Sequence, residues 1–100
     1  MTSPVNQVLC RTPTPDKQPK RIEAAKFALV RRAILAVVPH QRKGVLFRDL
    51  SRLVAARLSP QERRGLGSVP WYVTTVKLEL EVRGEIRRLS GVTPQRLVRL

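Results

Sequence analysis

Apolar residues first recur at helical spacing over residues 22–38. One face of this segment carries the larger side chains, Phe27, Val30, Ile34 and Val37. A second face carries Leu29, Ala33 and Ala36. Because the polar remainder is narrow, this first helix is expected either to lie at the centre of the core or to pack against a second subunit in a homodimer. Pro39 ends it.

A second helix is predicted over residues 48–58, again from regularly spaced apolar positions. Its inward side chains are Phe47, Leu50, Val54 and Leu58. The apolar run at residues 45–47 fits either one brief strand or the start of this helix. Ser59, Pro60 and Glu62 then form a capping box with proline at the first helical position. The box predicts a short helical turn over residues 60–64, which Gly65 and Gly67 stop.

A third helix is predicted over residues 69–83, between a Ser68 cap and a terminating Gly84. Its inward stripe is Val73, Val76 and Leu80. Two opposite-charge pairs at i, i+4 are expected on its surface, Lys77 with Glu81 and Glu79 with Arg83. Trp71 is expected to close the top of the core, and Leu78 and Val82 to pack on the following hairpin or on a partner.

The pattern changes at both ends of these helices. Residues 85–89 and 96–100 are short, branched-apolar segments separated by turn residues, which predicts a β-hairpin. Residues 1–20 contain four prolines without an apolar period, so they are expected to form a disordered basic arm. The folded domain is therefore predicted to cover residues 21–100.

The charge balance points to an anionic partner. Twenty Lys and Arg oppose seven Asp and Glu, for a formal net charge of +13. A chain of this charge attracts polyanions, because each neutralised phosphate releases condensed counterions. The single cysteine permits no internal disulfide, and no apolar run is long enough to span a membrane. We therefore expect a cytoplasmic protein, associated with the nucleoid if DNA is the partner.

The inventory of reactive side chains argues against an enzyme. His40 is the only histidine and Cys10 the only cysteine, so no zinc site is expected. Neither a phosphate-cradling glycine loop nor paired carboxylates in a catalytic context is present. We expect no cofactor, no metal and no small-molecule ligand.

The third helix and the start of the hairpin carry a resemblance. The pattern Trp71-x-x-Thr74-Thr75-Val76-x-Leu78-x-Leu80-Glu81-x-x-Gly84-x-Ile86 resembles the third helix and first wing strand of winged helix-turn-helix proteins. It is also similar to a family of small uncharacterised bacterial winged-helix-like proteins over residues 22–89. The resemblance implies an α+β winged helix of three main helices and a C-terminal hairpin. One departure is the long connection at residues 59–67, where a compact helix-turn-helix uses three or four residues.

The resemblance and the charge together predict nucleic-acid binding, most of all to duplex DNA in a regulatory or accessory role. The third helix would enter the major groove and the wing would lie on the adjacent backbone. The helix residues expected to contact nucleic acid are Tyr72, Thr74 and Thr75. The expected wing contacts are Arg87, Arg88, Arg96 and Arg99. Further basic residues that could hold phosphates are Arg42, Lys43, Arg63 and Arg64. A winged-helix protein-interaction module and an RNA- or ribosome-associated protein are the alternatives.

Overall fold

The computed structural model describes residues 6–40 and 43–100. Within these residues the chain has four helices and five short strands, and the strands pair in two small antiparallel sheets, so the chain is α+β as predicted. In chain order the elements are β1 (Gln7–Cys10), β2 (Lys20–Glu23), α1 (Ala24–Val37), β3 (Val45–Leu46), α2 (Phe47–Ala56), α3 (Pro60–Leu66), α4 (Val69–Arg83), β4 (Ile86–Arg88) and β5 (Arg96–Arg99).

The core lies between α1, α2 and α4, and the predicted inward stripes form it. Phe27, Val30 and Ile34 of α1 are buried, as are Leu50 and Val54 of α2. The predicted α4 stripe of Val73, Val76 and Leu80 is fully buried as well. Each such side chain contributes about 1.5–3 kcal/mol when removed from water. On the second face of α1, Ala33 is buried and Leu29 half-buried, while Ala36 is exposed.

The helix ends follow the capping chemistry in the sequence. The Ser59 hydroxyl accepts from the Glu62 amide at 3.0 Å, and the Glu62 carboxylate accepts from the Ser59 amide at 2.8 Å. Helix α3 nevertheless continues two residues further than predicted, through Gly65 to the buried Leu66, and Gly67 ends it. Helix α4 has the predicted bounds, with a left-handed Gly84 (φ 76°) at its end.

The predicted C-terminal hairpin is present, and a third strand joins it. We call the set of strands β3, β5 and β4, in that order, the C-terminal sheet. Residues 45–47 supply both of the expected structures, since β3 ends at Leu46 and α2 begins at Phe47. Gly44 precedes β3 with φ 62°, and a Cβ there would collide with the carbonyl group of Leu97. This glycine thus permits β3 to approach β5 closely.

Residues 7–23 differ from the expected disordered arm. Strands β1 and β2 pair in register from Gln7 with Glu23 to Cys10 with Lys20, forming what we call the N-terminal hairpin. Cys10 and Ile22 are buried in the core, and the hairpin packs against α1 and α4. Pro13, Pro15 and Pro19 lie in the connection between the two strands, where they interrupt no ladder hydrogen bond. The folded region therefore includes residues from Gln7 onward, while residues 1–5 of the predicted arm lie outside the described residues.

Candidate nucleic-acid interface

Both basic side chains of α4 are paired with carboxylates of the same helix. Lys77 Nζ lies 2.6 Å from Glu81 Oε2 and 4.8 Å from the centre of the Phe47 ring. Arg83 Nε donates to Glu79 Oε2 at 2.8 Å. The two predicted i, i+4 pairs thus exist, but Lys77 and Glu79 are buried rather than on the surface. Helix α4 consequently offers a DNA groove no uncompensated cation.

Glu79 is the most deeply buried of these charged groups, with 1% of its surface exposed. Its carboxylate accepts from the Arg11 amide and from Arg11 Nε and Nη2, at 2.8, 3.1 and 2.8 Å. Burial opposes its ionisation, but the hydrogen bonds from Arg11 and Arg83 prevail and lower the pKa of Glu79 to about 2. This ion cluster therefore fastens the N-terminal hairpin to the side of α4.

The outer face of α4 is largely neutral. Trp71 is 44% exposed and Val82 36% exposed, so the prediction that Trp71 closes the core was wrong. Thr74 is exposed, whereas Thr75 and Leu78 line a cavity of about 460 Å³ beneath the N-terminal hairpin. Leu78 thus lies beside the N-terminal hairpin.

Tyr72, the remaining predicted contact on α4, is half-buried. Its ring meets Trp71 edge to face at a centroid distance of 4.9 Å, and Lys26 Nζ lies 5.6 Å from its centre. Hydrogen bonding to Glu23 and the neighbouring Tyr72 raise the pKa of Lys26. Of the three predicted helix contacts, only Thr74 therefore faces solvent openly.

The C-terminal sheet gathers several predicted contacts. Ile86 is buried, so the alternation of side chains places Arg87 on the opposite, outer face of β4. Cross-strand pairing with Val98 brings Arg87 to the same face as Arg96, whose Nη1 donates to the Lys43 carbonyl at 3.2 Å. Arg88 pairs with Leu97 and so alternates to the face of Ile86, but it is exposed at the end of the edge strand β4. We use the name basic sheet face for Lys43, Arg87 and Arg96 together with Arg88 at the exposed edge of the sheet.

None of these four side chains forms an ion pair with a carboxylate among residues 6–40 and 43–100. The four residues come from three segments of the chain, the approach to β3 and the strands β4 and β5, which pairing in the sheet brings together. Their donors consequently remain available to phosphate oxygens.

The other predicted basic contacts lie elsewhere. Arg63 Nη1 donates to the carbonyl groups of Ala55 and Leu58 at 3.0 and 2.7 Å, so it binds the C-terminal end of α2. Arg64 is exposed on α3, and Arg42 lies outside the described residues. Arg99 Nη1 donates to the Leu35 carbonyl at 3.1 Å, which turns Arg99 toward α1 and away from the basic sheet face.

Sequence reasoning missed a second cluster of arginines, which line a groove between α1, α4 and β5. They are Arg31, Arg32, Arg83 and Arg99. In the sequence, Arg31 and Arg32 only interrupt the apolar pattern of residues 24–38. Because the cluster is assembled from three separate elements, no local sequence signal could have revealed it.

Among the described residues, no group of three or more His, Cys, Asp and Glu side chains could hold a metal ion. Burial, reinforced by Glu79, raises the pKa of the Cys10 thiol to about 11, so Cys10 is a neutral core side chain at pH 7. No helix within residues 6–40 and 43–100 is both long and apolar enough to cross a membrane.

Comparison with known proteins places the chain in one family. No curated protein and no solved structure is significantly similar to it. A family of unknown function, DUF6958, matches residues 7–97. The match starts at the first residue of β1, so it includes the N-terminal hairpin as well as the helices and the C-terminal sheet. Since this match covers most of the 100 residues, the chain belongs to the DUF6958 family.

Proposed function

We propose that the chain is a winged-helix module that binds duplex DNA through its basic sheet face. The order of helix, strand, two helices, helix and hairpin supports the fold, as does the pairing of β3 with β5. The C-terminal sheet then corresponds to the wing. The extra helix α3 occupies the long connection at residues 59–67, between α2 and α4 in the sequence.

The observation that carries this proposal is the distribution of uncompensated charge. Lys77 and Arg83 of α4 are paired with carboxylates, whereas no carboxylate in the described residues pairs with the basic sheet face. Arginine suits this surface because its planar fork can donate two parallel hydrogen bonds to one phosphate. The uncompensated cations therefore favour contact with a nucleic-acid backbone.

The mechanism is electrostatic capture followed by docking of the C-terminal sheet. The net charge of +13 accelerates encounter with a polyanion. Arg87, Arg88 and Arg96 then bind phosphate oxygens, which positions the module without reading sequence. Thr74 is the α4 side chain that could approach a base edge, and a single hydroxyl makes a weaker contact than a bidentate pair.

A salt titration tests the proposal. Affinity for duplex DNA, measured by fluorescence anisotropy, is expected to fall with salt at a logarithmic slope of about −3 to −4, since each of four phosphate contacts contributes about −0.9. A structured RNA of matched length serves as the comparator and is expected to bind more weakly. A flat salt dependence or no binding at low salt would contradict DNA binding, and tighter binding of the RNA would contradict the choice of duplex DNA.

A further inference from the structure

The groove between α1, the C-terminal end of α4 and β5 has the composition of an anion site. Its volume is about 590 Å³. Four arginines and no carboxylate line it, and its apolar surface comes from Phe27, Ala28, Leu35 and Ala36. We call it the arginine groove.

Three of the four guanidinium groups are held in place by one internal hydrogen bond each. Arg31 Nε donates to Glu85 Oε1 at 2.7 Å, Arg83 Nε to Glu79 Oε2 at 2.8 Å, and Arg99 Nη1 to the Leu35 carbonyl. Arg83 also stacks on the Phe27 ring, at 4.7 Å from its centre. A guanidinium has five N–H donors, so one internal bond orients the group and leaves others for a ligand. Such preorganisation lowers the entropy cost of binding.

The charges in the arginine groove are only partly compensated. Glu85 pairs with Arg31, and Glu79 pairs with Arg83 while also binding Arg11. Arg32 and Arg99 form no ion pair with a carboxylate in the described part of the chain. The groove therefore has two excess positive charges beside an apolar surface, an environment that strengthens attraction to an anion.

We infer that the arginine groove binds a small molecule with a polyphosphate chain, whose oxygens accept hydrogen bonds from Arg32 and Arg99 and whose less polar part lies on Ala28 and Ala36. Four arginines line one open groove, and this local density of positive charge matches the clustered charge of a phosphoanhydride chain. A nucleic-acid backbone, by contrast, presents its phosphates one by one along an extended strand. The site is separate from the basic sheet face, so it does not depend on DNA binding.

Isothermal titration of the full chain with sodium tripolyphosphate and with ATP tests this inference. Two double variants remove the same charge from different places: Arg32→Gln with Arg99→Gln in the arginine groove, and Arg87→Gln with Arg88→Gln on the basic sheet face. The groove variant is expected to lose about tenfold or more in tripolyphosphate affinity, because it loses charge-assisted hydrogen bonds. The sheet variant is expected to retain its tripolyphosphate affinity, and ATP is expected to bind more tightly than tripolyphosphate.

The outcomes separate this inference from the proposed function. Equal losses of tripolyphosphate affinity in the two variants, or no binding by the unmodified chain, would contradict the inference that the arginine groove binds polyphosphate. If the groove variant loses as much DNA affinity as tripolyphosphate affinity, Arg32 and Arg99 belong to the nucleic-acid surface. That result would also contradict a separate polyphosphate site. Arg99→Gln removes the hydrogen bond to the Leu35 carbonyl and could disturb the fold. The single variant Arg32→Gln avoids this problem, because the Arg32 side chain is exposed. It is expected to lose about threefold in tripolyphosphate affinity.

Discussion

Helix α4 and the C-terminal sheet use basic residues in opposite ways. On α4, Lys77 and Arg83 face carboxylates one turn away, and both ion pairs lie at the edge of the core. On the C-terminal sheet, Arg87 and Arg96 share an outer face on which no described carboxylate pairs with them. The helix that resembles a recognition element thus has both of its basic side chains paired with carboxylates. The basic side chains of the neighbouring hairpin strands β4 and β5 on this outer face have no such partner among the described residues. Whether a basic residue is a candidate for phosphate binding therefore depends on whether a carboxylate already pairs with it, and the number of basic residues in an element does not decide this.

The largest effect is expected where the α4 charges stabilise the fold. Glu79→Gln should lower the free energy of unfolding at pH 7 by about 3 kcal/mol, because the neutral amide loses the charge-assisted hydrogen bonds that Arg11 and Arg83 donate to the carboxylate. Chemical denaturation of both proteins measures this. Asp16→Asn, which removes an exposed carboxylate from the hairpin connection, is the matched control and should change stability little.

The same carboxylate predicts a pH dependence. Its pKa of about 2 in the folded chain lies below the ordinary value of 4.5, so its stabilisation is complete above pH 4.5 and is lost as the pH falls toward 2. The shift corresponds to about 3 kcal/mol at 1.36 kcal/mol per pKa unit. Stability curves of the native chain and of Glu79→Gln should converge over this range. If the two curves of stability against pH stayed parallel instead, ionised Glu79 would not be the source of this stabilisation.

The next largest effect concerns the C-terminal sheet. The double substitution Arg87→Ala with Arg88→Ala should weaken duplex binding by about tenfold at low salt and reduce the magnitude of the salt slope by about 2, one phosphate contact for each arginine. All duplex sequences should be affected alike, since backbone contacts carry no sequence information. Arg21→Ala with Arg57→Ala removes the same charge from exposed positions outside this sheet. An equal loss in that control would show that only net charge matters.

A smaller effect is expected at the outer face of α4. Trp71→Ala should cost less than about 1 kcal/mol of folding stability, because the side chain is 44% exposed and its principal aromatic contact is with Tyr72. Leu80→Ala, on the buried face of the same helix, should cost about 2–5 kcal/mol. Thermal unfolding of both variants tests the contrast. A Trp71→Ala loss as large as that of Leu80→Ala would mean that Trp71 has a core role.

The smallest effect is expected at Thr74. If the C-terminal sheet supplies the affinity, Thr74→Ala should change duplex affinity by less than about twofold, at the low end for one neutral hydrogen bond. Binding to a library of randomised duplexes should likewise retain its ranking. A changed ranking would indicate that α4 lies in a groove and reads base edges.

The helices and their caps could be predicted because local chemistry determines them. The Val73, Val76 and Leu80 stripe, the Ser59 capping box and Gly84 each act within a turn or two of the chain. The N-terminal hairpin could not be found in this way, since its prolines mask two short strands whose burial depends on distant helices. The burial of Glu79 could not be predicted for a related reason. Arg11, 68 residues away in sequence, supplies the partner that makes a buried glutamate favourable.

The most direct test of the central claim is a titration of the 15N-labelled chain with a short DNA duplex, followed by backbone amide chemical shifts. The account predicts that the largest shifts arise in Val45–Leu46, Ile86–Arg88 and Arg96–Arg99, and that the exposed positions of Val69–Arg83 move little. Largest shifts at Trp71, Thr74 and Val82, with the C-terminal sheet unaffected, would contradict binding through the basic sheet face.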